Sequence, residues 1–377
     1  MSTRQFQARA RALALAAGTL LSLHGFALGQ AQKVELKPQV EGGVDPVDVS
    51  TPTFTPAEST ETTFWNAEFN QWPGSRNLRI HFGEVKLPSG FTGKLVLSDR
   101  SGRVVETYQG DMLATIQDGW SKVVPGDYAL LSLIAEKPPV GFRAVVDQVA
   151  FTSNDGVALS IIGADEMQEV DEYSRDPAVI AVSRSVAKLS FIKDGRQFTC
   201  TGFLYGKTKN RMMTNEHCVN SAQLCRSTVA TFHYQLENGT LDRGTQYRCK
   251  SFVVANSDLD FAEIELEGNP ADMWGTLQLS SEDVREKQEL MIIQHPGGRP
   301  KMISRVNCVA TKPVADGISQ KSDIAHTCDT EHGSSGSPLL NLAGSVVGLH
   351  HFGVADGPYW NENRAVRMAE ILKKLKD

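Results

Sequence analysis

A histidine, an aspartate and a serine in three separate segments have the side chains needed for nucleophilic catalysis. The segments are CTGFLYGKTKNRMMTNEHC (200–218), SDLDFAEIEL (257–266) and DTEHGSSGSP (329–338). Serine is a weak nucleophile at neutral pH, so it needs a base to accept its proton and a third group to orient that base. We therefore predict a hydrolase in which Ser335 attacks, His217 transfers the proton and Asp260 orients His217.

The choice of orienting carboxylate depends on the residues that follow it. Asp260 begins an alternating apolar run that ends at Leu266, which is typical of a strand that holds a carboxylate in a buried place. Asp258 lies in a more polar, turn-like stretch and is the alternative. We predict Asp260.

Glycines flank the candidate nucleophile in the string GSSGSP. They permit a tight backbone turn, so we predict that the amides of Gly333 and Ser335 form an oxyanion hole. Two other interpretations exist: Gly/Ser strings are common in flexible linkers, and Cys200, Cys218 and His217 have the side chains of a metal site. The three segments together favour catalysis, because each adjoins a strand pattern and they occur in one exported chain.

The six cysteines all lie in the C-terminal half of the chain. An even number in an exported protein favours disulfides over metal binding. Six cysteines allow 15 connectivities. Among them we predict local pairing, as Cys200–Cys218, Cys225–Cys249 and Cys308–Cys328.

The first residues have the layout of a secretory signal peptide. Arg4, Arg9 and Arg11 precede an apolar run over 12–28, and small or polar residues follow at 29–31. We predict cleavage near 29–31 and a secreted or periplasmic protein. A membrane anchor is the alternative, but the run contains polar residues and is short for a span.

Composition divides the remaining chain. Residues 32–62 are rich in Pro, Ser, Thr and Glu and predict a linker, whereas 63–163 show short alternating apolar segments that predict a β-sandwich. Residues 164–182 are acidic and predict a second linker, and 183–377 form a second β-rich domain. Apolar residues at helical spacing over 361–376 predict a short C-terminal helix. The predicted fold class is all-β.

The overall charge excludes one class of partner. A net charge of −6 and a pI near 5.9 provide no basic field for phosphates or anionic lipid. We therefore expect protein or peptide substrates, no nucleic acid and no stable membrane insertion after signal cleavage. The chemistry implies no cofactor and no metal, and we expect a monomer.

These motifs resemble those of bacterial chymotrypsin-fold serine peptidases, in particular the glutamyl and lysyl endopeptidase groups and their trypsin-like relatives. The likeness covers about residues 183–372 and rests on C-T-G-F-L, T-N-E-H-C, D-F-A, H-P-G-G, D-T-E-H-G-S-S-G-S-P, V-V-G-L-H-H and N-R-A-V-R. The order His, Asp, Ser is that of chymotrypsin-like enzymes, and subtilisin and the α/β-hydrolases use others. The resemblance implies two six-stranded β-barrels with the triad between them, and a Cys200–Cys218 bridge beside the base.

Two features bear on activation and specificity. Trypsin-like zymogens have an aspartate before the nucleophile that pairs with a new N-terminus, but this chain has Ser334, so that activation is not expected. Asp329 stands where trypsin-like enzymes bind a basic P1 side chain, and Thr330 with His350 matches the pair that binds an acidic one in glutamyl endopeptidases.

An aspartate directed into the substrate pocket would repel an acidic side chain. Basic P1 is therefore preferred over acidic P1. In a third interpretation Asp329 points into a loop and His350 is a packed core residue.

The predicted function is a secreted serine endopeptidase that acts through an acyl-enzyme. The alternative from another class is a catalytically silent, protease-like binding protein. The sandwich is either a pro-region removed by cleavage near Arg175 or Arg184, which is preferred, or a retained module.

Overall fold

Strands make up most of the structure, a computed structural model that describes residues 36–56, 62–153, 159–208, 210–353 and 362–375. These residues belong to one compact unit, 34–377. The predicted signal peptide and the first and last residues of the predicted C-terminal helix lie outside the described residues. No helix in the described ranges is long and apolar enough to cross a membrane.

The elements before the acidic segment are a short helix and ten strands. They are α1 (Gly110–Thr115), β1 (Gln39–Ser50), β2 (Thr63–Phe69), β3 (Asn77–Lys86), β4 (Lys94–Asp99), β5 (Val104–Tyr108), β6 (Gly119–Trp120), β7 (Val124–Pro125), β8 (Ala129–Ile134), β9 (Arg143–Thr152) and β10 (Leu159–Ser160).

The later helices are α2 (Pro177–Ser183), α3 (Ala222–Ser227), α4 (Ala271–Trp274) and α5 (Met368–Lys374), with 3₁₀ turns at Val170–Tyr173 and Pro296–Gly298. The later strands are β11 (Gln168–Glu169), β12 (Val186–Lys193), β13 (Arg196–Leu204), β14 (Arg211–Thr214), β15 (Val229–Glu237), β16 (Thr240–Asn256), β17 (Phe261–Leu266), β18 (Gln278–Leu279), β19 (Leu290–Gln294), β20 (Met302–Ser304), β21 (Ala310–Ala315), β22 (Asp323–His326), β23 (Thr330–Glu331), β24 (Pro338–Asn341), β25 (Ser345–Phe352) and β26 (Asn363–Arg367).

The sandwich module, β1 to β9, is built from alternating strands as the sequence predicts. One sheet has the order β2-β8-β4-β5, and β1-β9-β3-β6 belongs to the other. Leu97 and Leu131 from the first sheet and Ile80 and Val149 from the second are fully buried in one core. Because burial of each such side chain contributes about 1.5–3 kcal/mol, the packed faces hold the two sheets together.

Two closed barrels follow. In the first, β12-β13-β14-β17-β16-β15 closes back on β12 by antiparallel pairing. In the second, β19-β24-β25-β26-β22-β21 is closed by hydrogen bonds from Leu290 N to Cys308 O and from Ala310 N to Gln288 O, at 2.9 and 3.0 Å. Phe203 and Phe261 from the first barrel pack with Leu349 from the second in a shared core. The predicted all-β class and double barrel are confirmed.

Strand β1 corrects the prediction of a linker over residues 32–62. One edge of β1 pairs with β9 of the sandwich and the other with β13 of the first barrel, so the two form one sheet of 11 strands. A Cβ at Gly42 would lie 1.7 Å from Phe151 O, so only glycine fits this close approach. Hydrogen bonds on both edges stabilise this strand, so it forms without the regular apolar alternation by which a strand is recognised in a sequence.

The acidic segment, residues 164–182, is also ordered. Asp176 caps α2 by accepting hydrogen bonds from the amides of Ala178 and Val179, and Val170 and Val179 are buried in the core shared by the barrels. At the other end, residues 363–367 form β26 and the C-terminal helix starts only at Met368. The helix prediction was wrong over those residues, because pairing with β22 and β25 stabilises a strand there.

Candidate active site

His217 and Asp260 come together because the strands beside them are neighbours. His217 follows β14 and Asp260 precedes β17, and Thr214 of β14 pairs with Ala262 of β17. His217 Nδ1 lies 2.8 Å from Asp260 Oδ2, and the His217 amide donates to Asp260 Oδ1 at 3.0 Å. Asn215 Nδ2 donates to the Asp260 carbonyl at 2.7 Å. These contacts fix the carboxylate beside the imidazole.

The surroundings keep Asp260 ionised. Burial by itself would raise its pKa, but His217 and His351 offset that effect and hold the pKa well below its usual range. Because the hydrogen bond to Asp260 occupies Nδ1 of His217, the lone pair is on Nε2. Among the described residues Nε2 of His217 is buried and has no hydrogen-bond partner, which leaves it available to accept a proton.

Asp258, the alternative carboxylate, has a different environment. Its side chain is exposed, and its carbonyl accepts a hydrogen bond from Ser319 Oγ at 2.9 Å. The structure thus brings Asp260 to His217, and within the described ranges no hydrogen bond or ion pair joins Asp258 to His217.

Ser335 lies in a loop between β23 and β24 that is anchored to the first barrel. Its carbonyl accepts a hydrogen bond from Thr201 N at 2.8 Å, and Gly336 N donates to His350 O at 2.9 Å. Gly336 has a φ of 88°, and a Cβ there would lie 2.1 Å from Thr201 O. Only glycine satisfies both constraints, so this position fixes the loop that carries Ser335.

Gly333 and Ser335 present free amides, as the oxyanion hole requires. In the described part of the chain neither amide makes a hydrogen bond. The His332 carbonyl accepts from Gly297 N at 2.8 Å, and because a trans peptide points its C=O and N–H in opposite directions, the Gly333 N–H points away from Gly297. The H-P-G-G motif therefore supports this loop, a role that sequence reasoning did not assign to it.

A small cavity adjoins Ser335, and it contains both residues predicted to bind an acidic side chain. Its lining includes Thr330 and His350 together with Ser335, Lys37 and Glu331. The Glu331 carboxylate is paired with Arg299 at 2.8 Å. The remaining lining residues are Leu36, His332, His351, Phe352 and Gly353.

Asp329 has a position different from the predicted pocket floor. Its Oδ1 accepts a hydrogen bond from Ile162 N and its Oδ2 accepts one from Glu166 N, both at 2.9 Å. Burial raises the pKa of this carboxyl, and the two amides partly offset that effect. Strand β10, which precedes Ile162, pairs with β23. Asp329 therefore ties the start of the acidic segment to the strand before the Ser335 loop.

The structure contains the three disulfides that the sequence predicts, Cys200–Cys218, Cys225–Cys249 and Cys308–Cys328. The first joins β13 to the turn that carries His217. Since the two sulfurs are bonded to each other, the metal alternative for Cys200, Cys218 and His217 is wrong.

Sequence reasoning missed one residue beside the His217–Asp260 pair. His351 is fully buried, and its Nδ1 lies 3.4 Å from Asp260 Oδ2 while its Nε2 lies 2.7 Å from Asp323 Oδ2. The only signal in the sequence is the histidine doublet at 350–351, which does not indicate which histidine faces which site.

Two closed β-barrels with a buried His–Asp pair at their junction define the chymotrypsin-like serine peptidase fold. Residues 200–349 match the family profile described as "Trypsin-like peptidase domain". This part of the chain is a trypsin-like peptidase domain, which confirms the resemblance at the level of the fold family. The glutamyl or lysyl endopeptidase group stays a hypothesis.

Curated relatives cover part of the chain. It is 28% identical over 211 residues to "Secreted RxLR effector protein 73" of Plasmopara viticola, over 53% of this chain and 52% of that protein. It is 28% identical over 242 residues to "Uncharacterized protein y4fB" of Sinorhizobium fredii, over 58% of this chain and 36% of that protein. The matches therefore span about half the length of the first relative and less of the second.

Solved structures with similar folds include three proteases. A Glu endopeptidase in complex with MPD has 21% identity and a TM-score of 0.44, over 57% of this chain and 99% of its own. The Rv3671c protease from M. tuberculosis has 17% identity and a TM-score of 0.41, over 59% and 91% of the two chains. The serine endoprotease from Yersinia pestis has 14% identity and a TM-score of 0.42, over 54% and 65%. At these identities the likeness concerns the fold alone.

Proposed function

We propose that this protein is a serine endopeptidase that hydrolyses peptide bonds through an acyl-enzyme on Ser335. The observation that carries the proposal is the buried pair of His217 and Asp260, with Nδ1 held at 2.8 Å and Nε2 without a partner in the described chain. This arrangement creates a base at the junction of the barrels, beside a loop with two free amides.

The proposed reaction has two halves. His217 Nε2 takes the proton of Ser335 Oγ as the oxygen bonds to the scissile carbonyl carbon, and the amides of Gly333 and Ser335 stabilise the oxyanion. His217 then gives the proton to the leaving amine, and the C–N bond breaks. A water molecule attacks the ester in the same way, so that the new acid is released and Ser335 regains its proton.

For the P1 side chain, we propose an acidic residue instead of the basic one that the sequence favours. The carboxylate of Asp329 is engaged by the amides of Ile162 and Glu166 and does not line the cavity beside Ser335. Thr330, His350 and Lys37 line it, and the charge of Glu331 is balanced by Arg299. Hydroxyl, imidazole and ammonium groups complement a carboxylate.

We further propose that the sandwich module stays attached in the working enzyme. Glu41 of β1 forms an ion pair with Lys188 of the first barrel, and their side chains are only 1% and 5% exposed. Gln246 exchanges two hydrogen bonds of 2.8 Å with the backbone of Val123. Such desolvated polar contacts would all be lost if cleavage near Arg175 or Arg184 released the module, so they favour retention.

Export remains part of the proposal. Three disulfides are compatible with an oxidising compartment outside the cytosol. Partners are then protein or peptide substrates met in that compartment, and we propose a monomer.

The deciding experiment incubates the purified full chain with a denatured protein mixture and maps new termini by mass spectrometry. Ser335→Ala should abolish all cuts, and Ser281→Ala, at an exposed loop position, should leave them unchanged. Cuts after Glu or Asp agree with the proposed specificity, whereas cuts after Lys or Arg contradict it. If the parent and Ser335→Ala behave alike, the enzyme proposal fails and the silent binding protein becomes the better account.

A further inference from the structure

We propose, on the basis of the function proposed above, that His351 is a positioning residue of the catalytic machinery. Held as an imidazolium between Asp323 and Asp260, it fixes the catalytic carboxylate and sets the proton affinity of His217. The constellation that serves Ser335 would then have five members instead of three: Asp323, His351, Asp260, His217 and Ser335.

The geometry places the two rings on one carboxylate oxygen. Asp260 Oδ2 is 2.8 Å from His217 Nδ1 and 3.4 Å from His351 Nδ1. The other nitrogen of His351, Nε2, is 2.7 Å from Asp323 Oδ2. His351 Nε2 is within hydrogen-bond distance of Asp323, whereas the 3.4 Å contact of Nδ1 with Asp260 is an ion-pair distance without hydrogen-bond geometry. Two carboxylates beside one buried imidazole favour its charged form.

The carboxylate on the far side of His351 is itself held in place. Asp323 is fully buried at the start of β22, and Ser322 Oγ donates to its Oδ1. A Cβ at Gly317 would lie 2.2 Å from this carboxylate, so the absence of a side chain there lets the loop approach closely. Asp323 therefore cannot turn to water, and its charge acts on His351.

Electrostatics favour the imidazolium. Burial by itself would lower the pKa of His351, but Asp323 and Asp260 raise it to about 9. Other titratable groups around this cluster are His326 on β22, which interacts with His351, Arg364 on β26, which interacts with Asp323, and His217, which shares Asp260 with His351. His350 precedes His351 on β25. None of these is a carboxylate, so the two aspartates supply the negative charge around the ring.

His326 provides a contrast within the same barrel. It is also fully buried, on a strand next to β26, but burial, together with its neighbours His350, Arg364 and His351, holds its pKa well below the usual value. Core packing of a histidine is therefore compatible with a neutral ring. The charge on His351 follows from its two carboxylate neighbours and not from burial.

The consequence for catalysis is a change in the basicity of His217. The three groups Asp260, His351 and Asp323 carry a net charge of −1, and the positive ring lies nearer to Asp260 than Asp323 does. It offsets part of the negative potential that favours protonation of His217. Removal of the positive ring should therefore raise the pKa at which His217 becomes protonated.

The test is the acidic limb of the pH profile of kcat/KM, which reports the base of the free enzyme. The variant is His351→Gln combined with Asp323→Asn, which leaves the local net charge at −1 and avoids an unpaired buried aspartate. We expect the limb to move up by about one pH unit, so that kcat/KM at pH 6 falls about tenfold more than it does on the plateau. A folded variant whose limb coincides with that of the parent would overturn the proposal.

A control removes a buried histidine that pairs with a partly exposed aspartate in the sandwich module, outside the proposed constellation. His81 is 7% exposed, and its Nδ1 lies 2.7 Å from Asp147 in the sandwich module. His81→Gln should keep the acidic limb of the parent. An equal movement in this control would show that any loss of a buried His–Asp pair has the effect, which would also overturn the proposal.

A second measurement separates this proposal from the proposed function. In a Ser335→Ala background, the imidazole signal of His217 can be titrated by NMR without turnover. A higher midpoint on adding His351→Gln and Asp323→Asn supports the positioning role even if the parent hydrolyses nothing. An unchanged midpoint ends the positioning role even if the parent is an active peptidase.

Discussion

Glu106 of the sandwich module and Arg248 of the first barrel form a buried, two-point ion pair. Arg248 Nε donates to Glu106 Oε1 at 2.8 Å, and its terminal nitrogen donates to Oε2 at 2.7 Å. The Arg248 side chain is 10% exposed and the Glu106 side chain is 3% exposed. Burial would lower the pKa of Arg248, but Glu106 raises it above its ordinary value, so both groups stay charged in the interior. The pair ties the module to the barrel that carries His217.

Removal of one partner of this pair should destabilise the whole chain. Arg248→Met leaves the carboxylate buried and uncompensated, and we expect a loss of about 3–5 kcal/mol in the free energy of unfolding. The double variant with Glu106→Leu should recover most of that loss. Urea unfolding measures both, and the exposed pair Arg143–Glu84 is the control, with an expected change below about 1 kcal/mol. Equal losses in the single and double variants would contradict this account.

Specificity should depend on His350 more than on Asp329. His350→Ala removes a potential donor to an acidic P1 side chain, and we expect kcat/KM for Glu substrates to fall about 10- to 100-fold. Asp329→Asn should leave kcat/KM for Lys and Arg substrates the same as in the parent. Matched peptides that differ only at P1 measure both effects. Loss of basic-residue cleavage in the Asp329 variant would restore the original prediction that this residue forms the pocket floor.

Asp329 should instead control the order of residues 162–166. Asp329→Ala removes the acceptor of two partly buried amides. A fully buried donor left unpaired costs about 1–3 kcal/mol, and partial access to water reduces that cost here. We expect faster amide hydrogen exchange at Ile162 and Glu166 and less change elsewhere. Asp165→Asn, at an exposed neighbouring position, is the control. Identical exchange in both variants would argue against a role for Asp329 in holding this segment.

The Cys200–Cys218 bridge should matter more for activity than the bridge in the second barrel does. Replacing both cysteines by serine should cost about 2–5 kcal/mol of stability and loosen the turn that carries His217. Replacement of Cys308 and Cys328 should cost similar stability but leave a larger share of kcat at temperatures where the chain is folded. Thermal unfolding measures the loss of stability in both variants, and single-turnover rates measure the loss of activity. An unchanged melting temperature without Cys200–Cys218 would refute it.

Stability should fall as the pH rises from about 6.5 to about 9. The pKa of His351 is raised in the folded state, so in this window the folded chain holds a proton that the unfolded chain releases. The contribution is complete below the lower limit and is lost as the pH passes the upper one. It is on the order of 3 kcal/mol. Denaturant unfolding of the parent and of the His351→Gln, Asp323→Asn variant measures it, and an equal slope in both would contradict it.

Local patterns in the sequence were sufficient to predict the candidate site residues, the sandwich strands and the disulfides of this protein. The three candidate catalytic segments could be selected because each combines a reactive side chain with a strand or a glycine-rich turn beside it. Leu97 and Leu131 face the sandwich core as their alternation predicts. The family resemblance added the double barrel. Disulfide pairing followed from proximity in the chain, since each bridge closes a loop of 18 to 24 residues.

The tertiary structure decided what depends on partners distant in the chain. Strand β1 has no apolar alternation and is stable only because β9 and β13 supply hydrogen bonds to its two edges. Asp329 faces the amides of Ile162 and Glu166, more than 160 residues away, and not the pocket. The pKa of His351 is raised by Asp323 and Asp260, on two other elements. A sequence determines which side chains are present, whereas burial and neighbouring charge, which set their protonation and direction, exist only after the strands have paired.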